Sequence, residues 1–334
     1  MKINLTARIP HASNGFSLVE LLVAMALGVL LLFGALQIFN STRLGNQIQT
    51  AMASVQDGGR IAMEFISRDI RLADFSGCVR DKSRITNHLN PGGANYDPEV
   101  HQYYELGGIS GVESASGLSI DGLSVVDGTS TLTIVGAQPA CSGITAITSG
   151  AEDEDDPLQL RDASCVIEAG TVLMVSSCNT AEIFVKTNAG VDATIEHAAA
   201  TTVGGLSNNS ASFEEVYKSD SQILTPFVRQ YFVAQGSNGN NSLFRRDNGV
   251  NQEVIFNVGD FQISYGRDGD GDLVADNFSS SFTAAEMAGV VTVQVELTVQ
   301  SDELVNDNDP LERTYRSTTN IRNRVVRSET NPDA

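Results

Sequence analysis

From Leu18 to Phe39 the only polar side chains are Glu20 and Gln37, and after Glu20 no charged residue occurs until Arg43. Leu21 to Thr42 is long enough to cross a hydrocarbon core, which takes about 20 helical residues at about 1.5 Å each. A carboxylate at the edge of such a segment is costly unless it finds a partner. Beyond Arg43 the pattern changes. Leu44, Ile48, Met52, Val55, Ala62, Phe65 and Ile66 recur largely at three- and four-residue steps, which predicts an amphipathic continuation of the same helix over 43–76. Arg60, Glu64 and Arg68 fall at i, i+4 spacing on its exposed side, worth about 0.3 kcal/mol per pair. Gly58-Gly59 weakens the middle and is the expected place for a kink. A single helix from Phe16 to Asp74 would span roughly 90 Å.

After Cys78 the period shortens to two. Segments rich in Gly, Ser, Asn and Asp separate β-branched runs, the pattern of a β head with long loops. The expected strands are 131–135, 171–175, 182–186, 228–234, 253–256, 261–265, 291–300 and 314–326. Val291, Val293, Val295, Leu297 and Val299 alternate with Thr292, Gln294, Glu296 and Thr298, so one face is buried and the other wet. That face is expected to pack on the outer half of the helix. Segments 80–125, 150–162 and 188–220 read as surface insertions suited to meeting partners. The near-copies Gly117–Asp121 and Gly122–Asp127 are too short for a repeat architecture.

Composition narrows the function. With 41% hydrophobic and 19% charged residues in 334, the chain can fold a substantial core. A net charge of −20 argues against a surface for nucleic acid, and Arg313, Arg316, Arg322, Arg324 and Arg327 read as a solvated face or as partners for the acidic excess. Cys78, Cys141, Cys165 and Cys178 are an even set in a chain whose bulk lies past the apolar run, so two disulfides are expected. Three pairings are open; Cys165 with Cys178 is preferred because they flank a strand-like run, leaving Cys78 with Cys141. There is no CxxC, and the four histidines lie far apart in sequence, which gives zinc or redox chemistry no support.

The start of the apolar run carries a more specific signal. Gly15, Phe16 and Glu20, preceded by the basic leader residues Lys2 and Arg8, resemble the type III signal of type IV pilins and type II secretion pseudopilins. An ordinary secretory signal would be cut beyond its apolar core and lost. The resemblance implies cleavage between Gly15 and Phe16 by a prepilin peptidase, removal of a leader 1–15, N-methylation of Phe16, and retention of 16–42 as the transmembrane and assembly helix. The freed amine at Phe16 then gives Glu20 a partner on a neighbouring subunit, which fixes axial register; such a pair sets specificity more dependably than stability. A plain single-pass anchor would explain the hydrophobicity but not Glu20.

A second resemblance lies in Gly59–Ile66, in Arg68-Asp69-Ile70-Arg71, and in Gly77-Cys78, which is similar to the PilW family of minor pilins. Physically these residues read as an amphipathic helix with surface ion pairs. The minor pseudopilin of the J type shares the Arg-Asp-Ile-Arg segment, and the length and Gly-Cys turn favour PilW.

Asp268-Gly269-Asp270-Gly271-Asp272, followed by Asp276, resembles the first part of an oxygen-ligand calcium loop, with acids at positions one, three, five and nine. Leu273 stands where the EF-hand glycine belongs and Ser279 replaces the bidentate glutamate. A hairpin turn also accounts for the Asp-Gly content. The run Glu152–Asp156 lacks the glycine turn and reads as solvated. No G-x-S-x-G, H-E-x-x-H or P-loop spacing occurs, and nothing recommends an enzyme.

The sequence therefore predicts an α+β protein: a long N-terminal pilin helix, its inner half spanning the membrane, packed on an antiparallel β-sheet head over 77–330, with a tail at 331–334. The resemblance implies a minor pilin that primes or caps a type IV pilus. It sits in inner-membrane lipid with its head in the periplasm before assembly and at the cell surface afterwards. Its implied partners are other minor pilins, the major pilin and a tip adhesin. The rivals are a J-type pseudopilin and a membrane-anchored calcium-binding adhesin outside any filament; an anchored periplasmic enzyme would need a convergent polar pocket in the head.

Overall fold

The computed structural model describes residues 17–79, 81–141, 146–148, 152–190, 193–306 and 309–325, and its first element is one helix of 55 residues, α1 (Leu18–Leu72). At 1.5 Å per residue it is about 82 Å long. It ends where Ala73 turns extended and Asp74 adopts a positive φ of 64°. The helix runs unbroken through Gly58-Gly59, and the second glycine serves a close approach. A Cβ on Gly59 would lie 2.2 Å from the Tyr315 ring, so the bare backbone lets the ring press against the helix. There the Tyr315 hydroxyl donates to the Val55 carbonyl at 3.1 Å.

Two antiparallel systems form the head. The larger sheet contains β1 (Leu132–Pro139), β2 (Val172–Ser176), β3 (Ala181–Val185), β4 (Gln222–Gln235), β5 (Asn241–Asp247) and β6 (Val250–Phe256). The long strand β4 pairs with β2 and β1 in succession and with β5, which pairs with β6; Ile85–Asn87 adds a short parallel edge to β3. The smaller sheet runs Asn277–Ser279, β7 (Val258–Arg267), β8 (Val290–Asn306), β9 (Asp309–Asn320). Every expected strand is present with shifted ends, except that the last stops at Asn320 and is followed by a helical turn, Arg322–Val325. β5 was not expected, because its two arginines mask the alternation of Leu243, Arg245 and Asp247 on its inner face.

The outer half of α1 fills the space between the sheets. Its buried stripe is Ala51, Val55, Gly59, Ala62, Ile66, Asp69 and Ile70. It shares one core with Leu132, Ile134, Phe227 and Tyr231 of the larger sheet and Phe261, Val295 and Leu297 of the smaller. The alternating valines of β8 are the buried face predicted for them. Each fully covered Val or Ile is worth about 1.5–3 kcal/mol. The predicted helix face is corrected in part: Val55, Ala62 and Ile66 are buried, whereas Leu44, Met52 and Phe65 are exposed. Leu44 lies before the stripe begins at Ala51, and Met52 and Phe65 each sit one residue off a buried position, on the flank of the helix.

The segments expected as surface insertions also contribute core. Val100, Tyr103, Tyr104 and Ile109 of 80–125 are buried, as are His197, Leu206, Phe213 and Tyr217 of 188–220. These stretches cover the sheet rather than project from it.

The disulfide pairing is corrected. Cys78 is joined to Cys178 and Cys141 to Cys165. β2 and β3 form a hairpin whose turn carries Cys178, and Ser176 Oγ donates to the Ser76 carbonyl at 2.8 Å, so that turn sits against the end of α1 beside Cys78. Cys165 lies in a separate core with Ile147, Leu158 and Leu173, against which Cys141 packs. The run between Cys165 and Cys178 is one arm of a hairpin, and a strand separates its two ends instead of joining them.

Candidate assembly interface

α1 divides into an uncovered and a covered half. From Leu18 to Phe39 its large apolar side chains are 51–76% exposed, with a mean hydropathy of 2.5 over the most apolar 18-residue window. No described residue of the head covers them. This much apolar surface is stable only in lipid or against other helices. Glu20 lies in the first turn, where a carboxylate suits the positive end of the helix dipole, and it is exposed with no side-chain partner among the described residues. Gly15 and Phe16 lie outside the described residues.

The covered half is tied to the head by a buried ionic knot. Asp69, 2% exposed, accepts from Arg229 Nη1 at 2.8 Å, from Arg245 Nε at 2.9 Å and from the Tyr231 hydroxyl at 2.6 Å. Asp247 Oδ2 meets Arg229 Nε at 3.2 Å and Arg245 Nη1 at 2.9 Å, and Arg229 Nη2 donates to Gln138 Oε1 at 3.2 Å. Burial pulls the Arg245 proton affinity down, but Asp69 and Asp247 more than offset it and hold the guanidinium above its ordinary value. Burial, then Asp69, pushes the Tyr231 phenol far up, so it stays a donor. The surface reading of Arg68-Asp69-Ile70-Arg71 is thus corrected: Arg68 and Arg71 are exposed, while Asp69 faces the sheet. The three-residue step from Ile66 to Asp69 puts the acid on the buried stripe. Arg60 meets Asp57 across 3.9 Å at the surface instead of Glu64.

The helix end is capped from the far end of the chain. Asn323 Nδ2 donates to the Ala73 carbonyl at 2.9 Å, and Arg324 Nε to Asp74 Oδ2 at 2.8 Å. Lys82 Nζ donates to the Asp74 carbonyl at 2.6 Å, and burial lowers its pKa. These bonds fasten the C-cap residue Ala73 and the residue after it, just past the last turn.

One carboxylate oxygen from each of Asp268, Asp270 and Asp276 lies within 4.8 Å of the others, while Asp272 does not join them. The loop also closes on itself: Asp268 accepts from the amides of Gly271 and Leu273 at 2.7 Å and 2.9 Å, and Asp276 from that of Gly269 at 2.6 Å. Hydrogen bonding from Gly271 leads in lowering the Asp268 pKa. Three hard oxygen donors suit calcium in kind, yet fall short of the six to eight it takes.

The other polar cluster is sealed. Glu182 is fully buried and accepts from the Glu214 amide at 2.7 Å and the Tyr217 hydroxyl at 3.0 Å, and it meets His88 Nε2 at 2.5 Å. His197 stacks on Phe213, with centroids 4.0 Å apart, and burial lowers its pKa. These bonds fasten 207–217 to β3 and build a loop anchor.

Comparison with known families meets this geometry at both ends. Residues 10–36 match the prokaryotic N-terminal methylation motif, and residues 230–330 match the type IV pilus-assembly protein W family. The first spans the uncovered start of α1; the second spans β5 to β9, the strands that receive the covered half. No curated protein and no solved structure matches the chain.

Proposed function

Because the chain is a type IV pilin-like protein of the PilW kind, a minor pilin of a type IV pilus, we propose that it enters the filament through α1 after cleavage between Gly15 and Phe16. The observation that carries this is the division of α1: an apolar segment that no described residue of the head covers, with the methylation motif at its start. Membrane anchoring follows from the same segment, and pilins and the pilus machinery are its partners. The finer reading is ours. Methylated Phe16 presents its amine to the lipid layer, and Glu20 pairs with the corresponding amine of a neighbour, turning a lone carboxylate in an apolar layer into a register mark. Before assembly the head stands in the periplasm; afterwards it lies at the pilus surface, where it primes or caps the filament beside other minor pilins and a tip adhesin.

Mass spectrometry of the mature N-terminus tests the processing step, with N-methyl-Phe16 expected as the first residue. Recovery of the uncut chain from cells with an active prepilin peptidase would overturn it. Glu20→Ala is expected to insert in the membrane normally and to drop out of sheared pili; normal co-purification with pilus subunits would defeat the register role.

A further inference from the structure

A pocket of about 300 Å³ lies where the insertions 80–125 and 188–220 meet, beside the short strand Ile85–Asn87 at the edge of the larger sheet opposite β6. Hydrogen bonds fix its frame. Asn87 Nδ2 donates to the His101 carbonyl at 2.8 Å, its Oδ1 accepts from the Leu89 amide at 3.1 Å, and the Asn209 backbone amide donates to the His88 carbonyl at 2.7 Å. The Asp97 carboxylate accepts from the Glu99 amide at 2.9 Å and from buried Arg246 at 3.2 Å, which pins the turn that carries Pro98. The lining is of two kinds. Pro91, Pro98 and Leu89 supply C–H surface. Tyr96, Gln102, Glu105 and Asn209 supply polar atoms, and none of these four side chains has a hydrogen-bond partner among the described residues. The Tyr96 ring is held against His101, with centroids 5.4 Å apart. Partial burial, then the Glu105 carboxylate, raises the Tyr96 pKa, so its hydroxyl keeps its proton.

We infer that this pocket binds a neutral pyranose, one ring of a glycan, with its C–H face on Pro91 and Pro98 and its hydroxyls on Gln102, Glu105 and Asn209. The volume sits at the low end of the about 300–1,000 Å³ that ligand sites occupy, which suits one or two sugar rings. A sugar hydroxyl both donates and accepts. The planar amides of Gln102 and Asn209 each offer a donor and an acceptor side by side, which matches two adjacent hydroxyls, while the Glu105 carboxylate accepts and the Tyr96 hydroxyl does either. A cation would use only the acceptors and leave the amide N–H groups idle. An anion is turned away: among the described residues Glu105 is the only charged side chain in the lining, and the chain carries a net charge of −20. The pocket shares no residue with α1, so binding here goes beyond the pilin reading and does not depend on entry into a filament.

The test places the full-length chain, in detergent, on an array of neutral hexose and N-acetylhexosamine oligosaccharides beside sialylated and sulfated ones. Retention by neutral glycans is expected, and whichever row holds the chain names the sugar. Titration with the methyl glycoside of that terminal sugar, followed by saturation-transfer NMR, then ranks the variants. Gln102→Ala with Asn209→Ala should weaken binding at least fivefold, Tyr96→Phe should weaken it less, and Asp155→Asn, outside the pocket, should leave it unchanged. These side chains make no bonds within the fold, so melting should hold. If the double variant melts lower, Gln102→Glu, which keeps the shape and replaces the amide donor with a carboxylate, takes its place with a loss expected again. No retention by any neutral glycan, retention by anionic glycans alone, or native binding by the pocket variants would overturn the inference. Binding is read on the purified chain, so a chain that stays uncut or unassembled yet binds defeats the pilin reading alone; a chain that enters pili and binds no neutral sugar defeats the pocket assignment alone.

Discussion

The two halves of α1 solve the same problem in opposite ways. Below the head, Leu18 to Phe39 leave their apolar surface bare and rely on lipid or neighbouring helices. Above, Ala51 to Ile70 bury a stripe one or two residues wide and leave the rest of the circumference outside the core, with Met52, Ile61 and Phe65 exposed among polar neighbours. The inner half contributes nothing to the stability of the isolated fold, whereas the outer half is part of its core. Hydrophobicity alone would rank their importance the wrong way round for folding and the right way round for assembly.

Substitutions should separate the halves. The largest effect is expected at Asp69: Asp69→Ala leaves Arg229 and Arg245 facing a gap and should cost about 3–5 kcal/mol. Ile66→Ala, one turn earlier, should cost about 2–5 kcal/mol. Both are read by near-UV circular dichroism of the tyrosines during denaturation in detergent, since the chain has no tryptophan. Loss of less than about 1 kcal/mol in either would mean the helix is not integral to the head. Gly59→Ala is next, since its Cβ would strike the Tyr315 ring. A cost of about 1–3 kcal/mol is expected, and Gly58→Ala, whose Cβ would make only an ordinary contact with Val299 at 3.7 Å, should be much milder.

Acid should act on the head and not on the inner half. Burial holds His197 below the ordinary imidazole value of 6.5, so the folded state binds fewer protons than the unfolded chain. That contribution is intact above pH 6.5 and is lost as pH falls below it. Melting temperature should therefore drop between pH 6.5 and 5 in the native chain and less in His197→Gln, and equal drops would remove His197 as the cause. Calcium should raise melting by a few degrees and a chelator reverse it if Asp268, Asp270 and Asp276 share an ion; an unmoved midpoint identifies a self-closed turn. The smallest effect belongs to Leu31→Ala: Leu31 is 76% exposed, and its loss should leave the melting of the head unchanged.

How legible the fold was in the sequence tracks the same division. The inner half needs no partner within the chain, so its length and composition described it fully, and the alternation of Val291 to Val299 did the same for β8. The outer half depends on its neighbours. Phe65 and Ile66 both fit a helical apolar spacing, and only the position of the sheet decides that Ile66 is covered. Asp69 looked like a surface acid because its partners, Arg229 and Arg245, lie 160 and 176 residues away. Cysteine pairing failed for a related reason: nearness in sequence favoured Cys165 with Cys178, but a β-hairpin carries Cys178 to the helix end.

The bond between Cys78 and Cys178 encloses a sequence separation of 100 residues. Tension entering along α1 leaves the peptide chain six residues past Leu72 and crosses that sulfur bridge directly into the β2–β3 turn. The enclosed residues, the 80–125 insertion among them, lie on a mechanical bypass, and a hauled fibre loads β3 and the later strands before it can unravel them.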